Sequence, residues 1–166
     1  MYPLIQALEE LLDCHNQLLK LAREKQEVLI KGDVPTLSKL TKEEGRLVRK
    51  IGKVEQKRQQ YVQELVSRYQ LSPEEDWTLD RLLEHIPVEE GKEQVRTLAQ
   101  NLRNVIDRLK AQNELNMRLT QDALQMVNYT LELLTARDEE VTYRNPMEQG
   151  HPSPQSPARG FFDAKA

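Results

Sequence analysis

The side chains that could carry out nucleophilic or acid–base chemistry in this sequence are few and scattered. The one cysteine, Cys14, is followed directly by His15, and the other histidines are His85 and His151. Successive residues of a helix point about 100° apart, so Cys14 and His15 do not form a nucleophile and its base by adjacency. A structural role is expected for both residues.

Acidic pairs are more frequent, as at Glu9-Glu10, Glu43-Glu44 and Glu74-Glu75. Neighbouring acids on helices are usually solvated faces and caps rather than catalytic dyads. The sequence has no phosphate-binding glycine loop, no Cys/His cluster with metal-ligand spacing and no nucleophile elbow. It therefore predicts a protein that is not an enzyme, with no catalytic residue, no bound metal and no cofactor.

The composition favours packed helices over a thick globular core. Of 166 residues, 38% are apolar and 31% are charged, with only two Phe and one Trp. A net charge of −3 with interspersed signs predicts no basic patch for nucleic acid or an anionic membrane. The N-terminus lacks the charged start of a signal peptide, and no apolar run is long enough to span a membrane. We therefore expect a cytoplasmic protein that binds no nucleic acid and does not insert into a membrane.

One long stretch organises the rest of the chain. Neither glycine nor proline occurs between Gly91 and Pro146, and apolar residues recur every three or four positions. They are Val95, Leu98, Leu102, Val105, Leu109, Leu119, Ala123, Val127, Leu131 and Leu134. This spacing predicts a single helix over about 88–137, which at 1.5 Å per residue is about 75 Å long.

The remaining helices are predicted at about 3–31, 34–69 and 78–86. Gly32 supplies a C-terminal stop, Asp33 an N-cap and Pro35 a tolerated first-turn residue, so the first two helices should fold into a hairpin. Folding about Gly32 places Glu44 near Lys25 and Arg58 near Glu9, and we predict both ion pairs. The predicted fold is an all-α, elongated antiparallel bundle or coiled coil of three long helices and one short helix over 1–143.

The predicted lengths do not match. The second helix should span about 52 Å and the first about 40 Å, so a longer third rod running beside them leaves roughly its last 15 residues uncovered. Contiguous apolar stripes are seldom exposed on soluble monomers unless a partner binds them. We therefore predict a partner-binding surface on Leu124, Met126, Val127, Leu131 and Leu134.

Three amides interrupt the stripe midway, at Gln112, Asn113 and Asn116. Amides near a helix seam destabilise it unless they are hydrogen-bonded. They mark either a buried polar layer that fixes register or a direct contact with the partner, and the sequence leaves both readings open.

The region 144–166 is predicted to be a flexible, proline-rich tail. It contains Pro, Gly, Ser and Gln in a composition that cannot build a core. Tyr143 and Phe161-Phe162 stand out as apolar anchors beside and within it. They are either short docking motifs, or aromatics that are incidental or dock on their own bundle.

With these residues laid out, the chain resembles the FlgN family of flagellar type III export chaperones. The likeness covers about residues 4–145. In the first half it rests on Leu21-Ala22-Arg23-Glu24-Lys25, Lys31-Gly32-Asp33, Leu37 to Leu40, Glu43-Glu44 and Arg58. In the second half it rests on Asn113-Glu114-Leu115-Asn116, on Asn128 and on Thr142-Tyr143. The segment from Pro146 to Pro157 matches no pattern of the family.

The resemblance implies a specific function. FlgN-like proteins bind the hook-filament junction proteins FlgK and FlgL in the cytoplasm, prevent their premature assembly and escort them to the export apparatus. In that family the C-terminal helical part binds the client, which adds Asn113, Asn116, Leu119 and Ala123 to the predicted client-binding residues. A tyrosine after the last helix is associated with docking on the export gate protein FlhA, and Tyr143 matches its position.

A second hypothesis uses the same stripe differently. A structural coiled-coil protein could pair two copies of the stripe in a homodimer and have no client. Sequence alone does not separate these, because a self-complementary stripe and a client-binding stripe look alike.

Overall fold

The computed structural model describes residues 1–72, 77–87 and 89–140, and the side chains of that part as far as residue 135. The helices are α1 (Tyr2–Lys31), α2 (Val34–Arg68), α3 (Leu79–His85) and α4 (Lys92–Glu140). No strand occurs among the described residues. The predicted all-α fold of three long helices and one short helix is confirmed. Tyr143 and the predicted tail lie outside the described residues.

The turn between α1 and α2 is built by two residues. Gly32 adopts a left-handed conformation with φ of 68°, and its N–H donates to the carbonyl of Leu29 at 3.2 Å. The Asp33 carboxylate then caps α2, accepting from the N–H of Thr36 at 3.1 Å and from its hydroxyl at 2.6 Å. These hydrogen bonds hold the pKa of Asp33 below its usual value. The predicted hairpin therefore forms with its predicted stop and cap.

Two cross-helix ion pairs give the register of the hairpin. Lys25 Nζ lies 2.7 Å from Glu44 Oε2, which confirms that predicted pair. A second pair joins Lys50 to Glu10 at 3.1 Å. The predicted pair between Arg58 and Glu9 is wrong.

Arg58 instead forms a fork of two hydrogen bonds with Glu55 on its own helix, at 2.7 and 2.8 Å. A carboxylate one turn away on the same helix can meet the guanidinium without ordering a side chain of a second helix. These bonds lower the pKa of Glu55.

The start of α4 also differs from the prediction. The helix begins at Lys92 rather than at 88, because Gly91 has a φ of 85° and cannot belong to a right-handed helix. Gly91 lies against the start of α1: a Cβ added there would be 2.9 Å from Met1 Cγ and 3.1 Å from Ile5 Cδ1. The chain thus enters α4 through a glycine that both the backbone angle and the close packing require.

The largest core cluster lies where α3 meets the start of α1, the end of α2 and the start of α4. Its buried members are Leu4, Ile5, Leu8, Val62, Leu65, Val66, Leu82, Leu83, Ile86 and Val95. A smaller cluster of Ala7, Leu11 and Val54 continues it along the hairpin. Trp77 packs half-buried against the main cluster, and its ring donates a hydrogen bond to the carbonyl of Ser72 at 2.7 Å.

The chain divides into two units, residues 1–127 and 128–166. Within the first unit, α4 runs parallel to α1, because Gln94 near the start of α4 contacts Glu9, and Asn116 farther along α4 contacts Ala22 farther along α1. α4 is therefore antiparallel to α2. Among the described residues, no helix has the length and apolar character that a membrane span requires.

Candidate functional site

The first unit carries an exposed apolar group on α4. Leu115, Met117, Leu124, Met126 and Val127 have exposed fractions between 40% and 72%. Large apolar side chains this accessible contrast with Val95 and Val105 earlier in the same helix, which are buried. α4 thus changes within the unit from a packed helix to one whose apolar side chains meet solvent.

In the second unit, the described side chains begin with an equally exposed group. Tyr129, Leu131, Leu133 and Leu134 are 53–62% exposed. Tyr129 and Leu133 are four residues apart and share one side of the helix, whereas Leu131 and Leu134 share another. A helix that is apolar on more than one side is usually buried by several neighbours.

A buried polar layer lies just before the exposed part of α4. Asn116 is only 4% exposed, and its amide nitrogen donates to the carbonyl of Ala22 on α1 at 2.7 Å. Gln112 donates to Gln26 at 2.8 Å and to Asn116 at 3.3 Å. These bonds tie α4 to α1 at one longitudinal position, which favours the register role for Asn116 and Gln112.

An open groove of about 310 Å³ lies beside this layer, within the first unit. Leu18 of α1, Val48 of α2 and Leu109 and Met117 of α4 form its apolar lining. The Lys25–Glu44 ion pair also lines it, with about a fifth to a quarter of each side chain exposed. The groove therefore adjoins the first exposed group through Met117.

The predicted client-binding residues fall into three environments. Leu124, Met126, Val127, Leu131 and Leu134 are more than half exposed, and Ala123 is also exposed. Leu119 is half-buried, and Asn113 is exposed at the groove. Asn116 does not lie on the exposed surface, because its amide is committed to α1. The structure thus separates Asn116 from the other eight.

Sequence reasoning missed part of the exposed apolar surface. Leu115, Met117, Tyr129 and Leu133 are exposed but were not among the predicted client-binding residues. The prediction used a single apolar stripe from Val95 to Leu134, and these four residues do not belong to that stripe. The four-residue spacing of Tyr129 and Leu133 was the available signal, since it marks a second apolar side.

The side chains considered first for chemistry have structural partners. Cys14 is completely buried, and burial raises the pKa of its thiol, which disfavours the reactive thiolate. His15 Nδ1 lies 2.7 Å from the carbonyl oxygen of Leu11 on its own helix. Within residues 1–72, 77–87 and 89–135, no three His, Cys, Asp or Glu side chains converge as a metal site would require.

Comparison with known proteins shows the family of the chain. The sequence model of the FlgN protein family matches residues 1–149. A curated protein similar to this chain is the uncharacterized protein YvyG of Bacillus subtilis (strain 168), 29% identical over 163 residues that cover 98% of this chain and 97% of YvyG. No solved structure matches significantly. Since the family match spans most of the sequence, the chain belongs to the FlgN family of flagellar export chaperones.

Proposed function

We propose that this protein is a cytoplasmic export chaperone for the hook-filament junction proteins FlgK and FlgL. It binds them through the C-terminal part of α4, prevents their premature assembly and delivers them to the flagellar type III export gate. The observation that carries the proposal is the exposure of large apolar side chains from Leu115 to Leu134 in a chain of a chaperone family. A partner that covers them removes apolar surface from water.

The physical mechanism is completion of a helical bundle by the client. Amphipathic client helices would lay their apolar sides against Leu124, Val127, Leu131 and Leu134. Tyr129 and Leu133 lie on a different side of the helix from Leu131 and Leu134, so a single client helix would leave part of this apolar surface exposed to water. The proposal therefore includes at least two client helices around α4, and neither partner then exposes its apolar side chains.

The binding test uses two variants of equal charge. Val127→Asp with Leu131→Asp places carboxylates in the proposed interface, whereas Gln121→Asp with Gln125→Asp places them at exposed polar positions of the same helix. We expect the first variant to lose at least 100-fold in affinity for FlgK and FlgL by calorimetry, because charges would be buried without partners. The second should lose less than threefold.

The helicity of the two variants shows whether a loss of binding comes from the interface or from a loss of fold. Both variants should keep the circular dichroism spectrum and thermal midpoint of the wild type, because the replaced side chains are exposed. A large loss of fold in the Val127/Leu131 variant would mean that these residues are core. Equal binding by both variants would overturn the proposed interface.

The alternative homodimer through the same apolar side chains is tested by sedimentation. A chaperone should form a soluble complex with FlgK or FlgL, and a purely structural coil should gain nothing from them. The homodimer would replace the chaperone proposal if the wild-type protein is a dimer that binds neither FlgK nor FlgL. In that case Val127→Asp with Leu131→Asp should convert the dimer to a monomer.

Delivery to the gate is assigned to Tyr143, which follows the last helix and is proposed to contact FlhA. Tyr143→Ala should leave FlgK and FlgL binding unchanged and reduce their secretion. Tyr143→Phe is the control for the hydroxyl group. Unchanged secretion with Tyr143→Ala would remove this residue from the docking role.

A further inference from the structure

A stripe of cations runs along the outer side of α2, and neither the fold nor the proposed client-binding surface uses it. Its members are exposed and recur at intervals of three or four residues. We call them the basic face of α2: Lys39, Lys42, Arg46, Arg49, Lys53 and Lys57. At 100° per residue all six fall within about 100° of the helix circumference. The expectation that the chain has no local basic patch is therefore wrong.

These cations lack close ion-pair partners among the described residues. Within the described part of the chain, none of the six makes an ion pair within 4.0 Å, whereas Lys25, Lys50 and Arg58 of the same hairpin all do. The acids of α2 near the basic face either pair with other cations or lie beside the face. Glu44 pairs with Lys25, Glu55 pairs with Arg58, and Glu43 borders the face toward α1.

Such an arrangement destabilises the free helix, because like charges three and four residues apart repel one another. Helix α2 holds nine basic and four acidic residues in a chain whose net charge is −3. Segregation of this kind against an acidic background produces a local positive potential that favours an anionic partner.

The dimensions of the basic face narrow the class of partner. From Lys39 to Lys57 it extends about 27 Å, and its arc is about 10 Å wide, which is close to the diameter of one helix. A membrane or a nucleic-acid duplex is wider than this face. An acidic helix presents carboxylates at the same three- and four-residue spacing as these cations.

We propose that the basic face of α2 is a second protein-docking surface, which binds an acidic helical segment of another protein through about five turns. This surface is independent of the proposed client-binding side chains of α4. It recognises the spacing of carboxylates along one helix rather than negative charge in general.

The test uses a synthetic helix as the probe. A fluorescein-labelled Ala/Gln peptide with six glutamates spaced three and four residues apart is compared with an isomer whose glutamates are distributed around all sides. Binding to the full chain is followed by anisotropy in 50 mM NaCl. We expect the patterned peptide to bind at least tenfold more tightly than the isomer, and its affinity to fall at least tenfold at 300 mM NaCl.

Two variants with the same change in net charge locate the binding. Lys42→Gln, Arg46→Gln, Arg49→Gln and Lys53→Gln together should weaken the patterned peptide at least tenfold. The matched control replaces four exposed cations elsewhere by Gln, namely Arg23, Arg68, Arg108 and Lys110. It should change the affinity less than threefold. Both variants should retain wild-type helicity and FlgK binding, which separates this proposal from the proposed function.

Three results would overturn the proposal. Equal affinity for the two peptides would mean that spacing is not recognised, and equal losses in the two variants would mean that only net charge matters. Tighter binding of a 20-nucleotide RNA or of phosphatidylserine vesicles, lost in the Lys42/Arg46/Arg49/Lys53 variant, would assign the basic face to another class of partner.

Discussion

The amide nitrogen of Asn116 donates a hydrogen bond to the main-chain carbonyl of Ala22, 2.7 Å away, in the second half of α1. This contact joins the first and last helices across 94 positions of sequence. It lies close to the point where α4 passes from buried to exposed apolar side chains.

Substitutions of Asn116 test how its buried, hydrogen-bonded amide affects the free energy of unfolding. Asn116→Asp should lower the free energy of unfolding by about 2–4 kcal/mol, because a carboxylate would face a carbonyl without a donor. Asn116→Leu should cost about 1 kcal/mol or less, since it removes the polar group altogether. Urea unfolding followed by circular dichroism measures both.

Asn113→Asp is the control, because Asn113 is exposed. It should change the free energy of unfolding by less than about 0.5 kcal/mol. Similar costs for Asn116→Asp and Asn113→Asp would show that position 116 is solvated in solution.

Two glycines should respond in opposite directions to alanine. Gly91→Ala should destabilise the protein by about 1–2 kcal/mol, because φ is 85° and the added Cβ would approach Met1 and Ile5. Gly52→Ala should stabilise it by about 0.5–1 kcal/mol, since its Cβ would meet nothing and Gly52 lies inside α2. Thermal midpoints check the sign, and a stabilising Gly91→Ala would contradict the packing at the start of α4.

The Lys25–Glu44 pair should contribute measurably to stability. Both side chains are mostly buried, so solvent screens their 2.7 Å contact less than it screens a surface pair. A double-mutant cycle with Lys25→Met and Glu44→Gln should give a coupling of about 1 kcal/mol. The exposed pair Lys31–Glu27, at 3.9 Å, is the comparison and should give a coupling near zero.

The Glu55–Arg58 fork should make stability depend on pH in one direction. The hydrogen bonds from Arg58 lower the pKa of the Glu55 carboxyl below its unfolded value. The stabilisation is therefore present above the unfolded pKa of a glutamate, about 4.3, and is lost as the pH falls through the lower folded pKa. Glu55→Gln should be less stable than wild type at pH 7, and the difference should shrink as the pH falls below the unfolded pKa.

The same experiment has a clear contrary result. A difference between Glu55→Gln and wild type that persists unchanged at pH 3 would mean that the effect comes from packing rather than from ionisation. Gln63→Glu, at an exposed position of α2, supplies a reference carboxyl that lacks the three-residue spacing of Glu55 from Arg58.

Burial of Cys14 should protect it from thiol reagents. The side chain is completely buried and burial raises its pKa, so access and thiolate formation are both disfavoured. Labelling by DTNB at pH 8 should be at least about 100-fold slower in the native protein than in 8 M urea. Rapid labelling of the native protein would contradict the packing around Cys14.

Local rules of sequence predicted the hairpin and the chain's helical class well. Gly32, Asp33 and the three- and four-residue spacing each act within a few positions, and their effects are visible in a single chain. The pairing of Lys25 with Glu44 also followed, because one tight turn fixes the register of the two helices it joins.

Other features depend on choices between local and distant partners. Arg58 was predicted to pair with Glu9, but it pairs with Glu55, one turn away on its own helix. The start of α4 depended on Gly91 packing against Met1 and Ile5, which no periodicity reveals. Net charge concealed the basic face of α2, because an average over 166 residues says nothing about which side of a helix carries the cations.

The main core cluster draws its members from residues 4–8, 62–66, 82–86 and 95, and none of them belongs to the exposed apolar residues of α4. Substitutions among those exposed residues therefore leave most of the folding energy untouched. The residues that α4 uses for recognition can therefore change during evolution with little loss of folding stability.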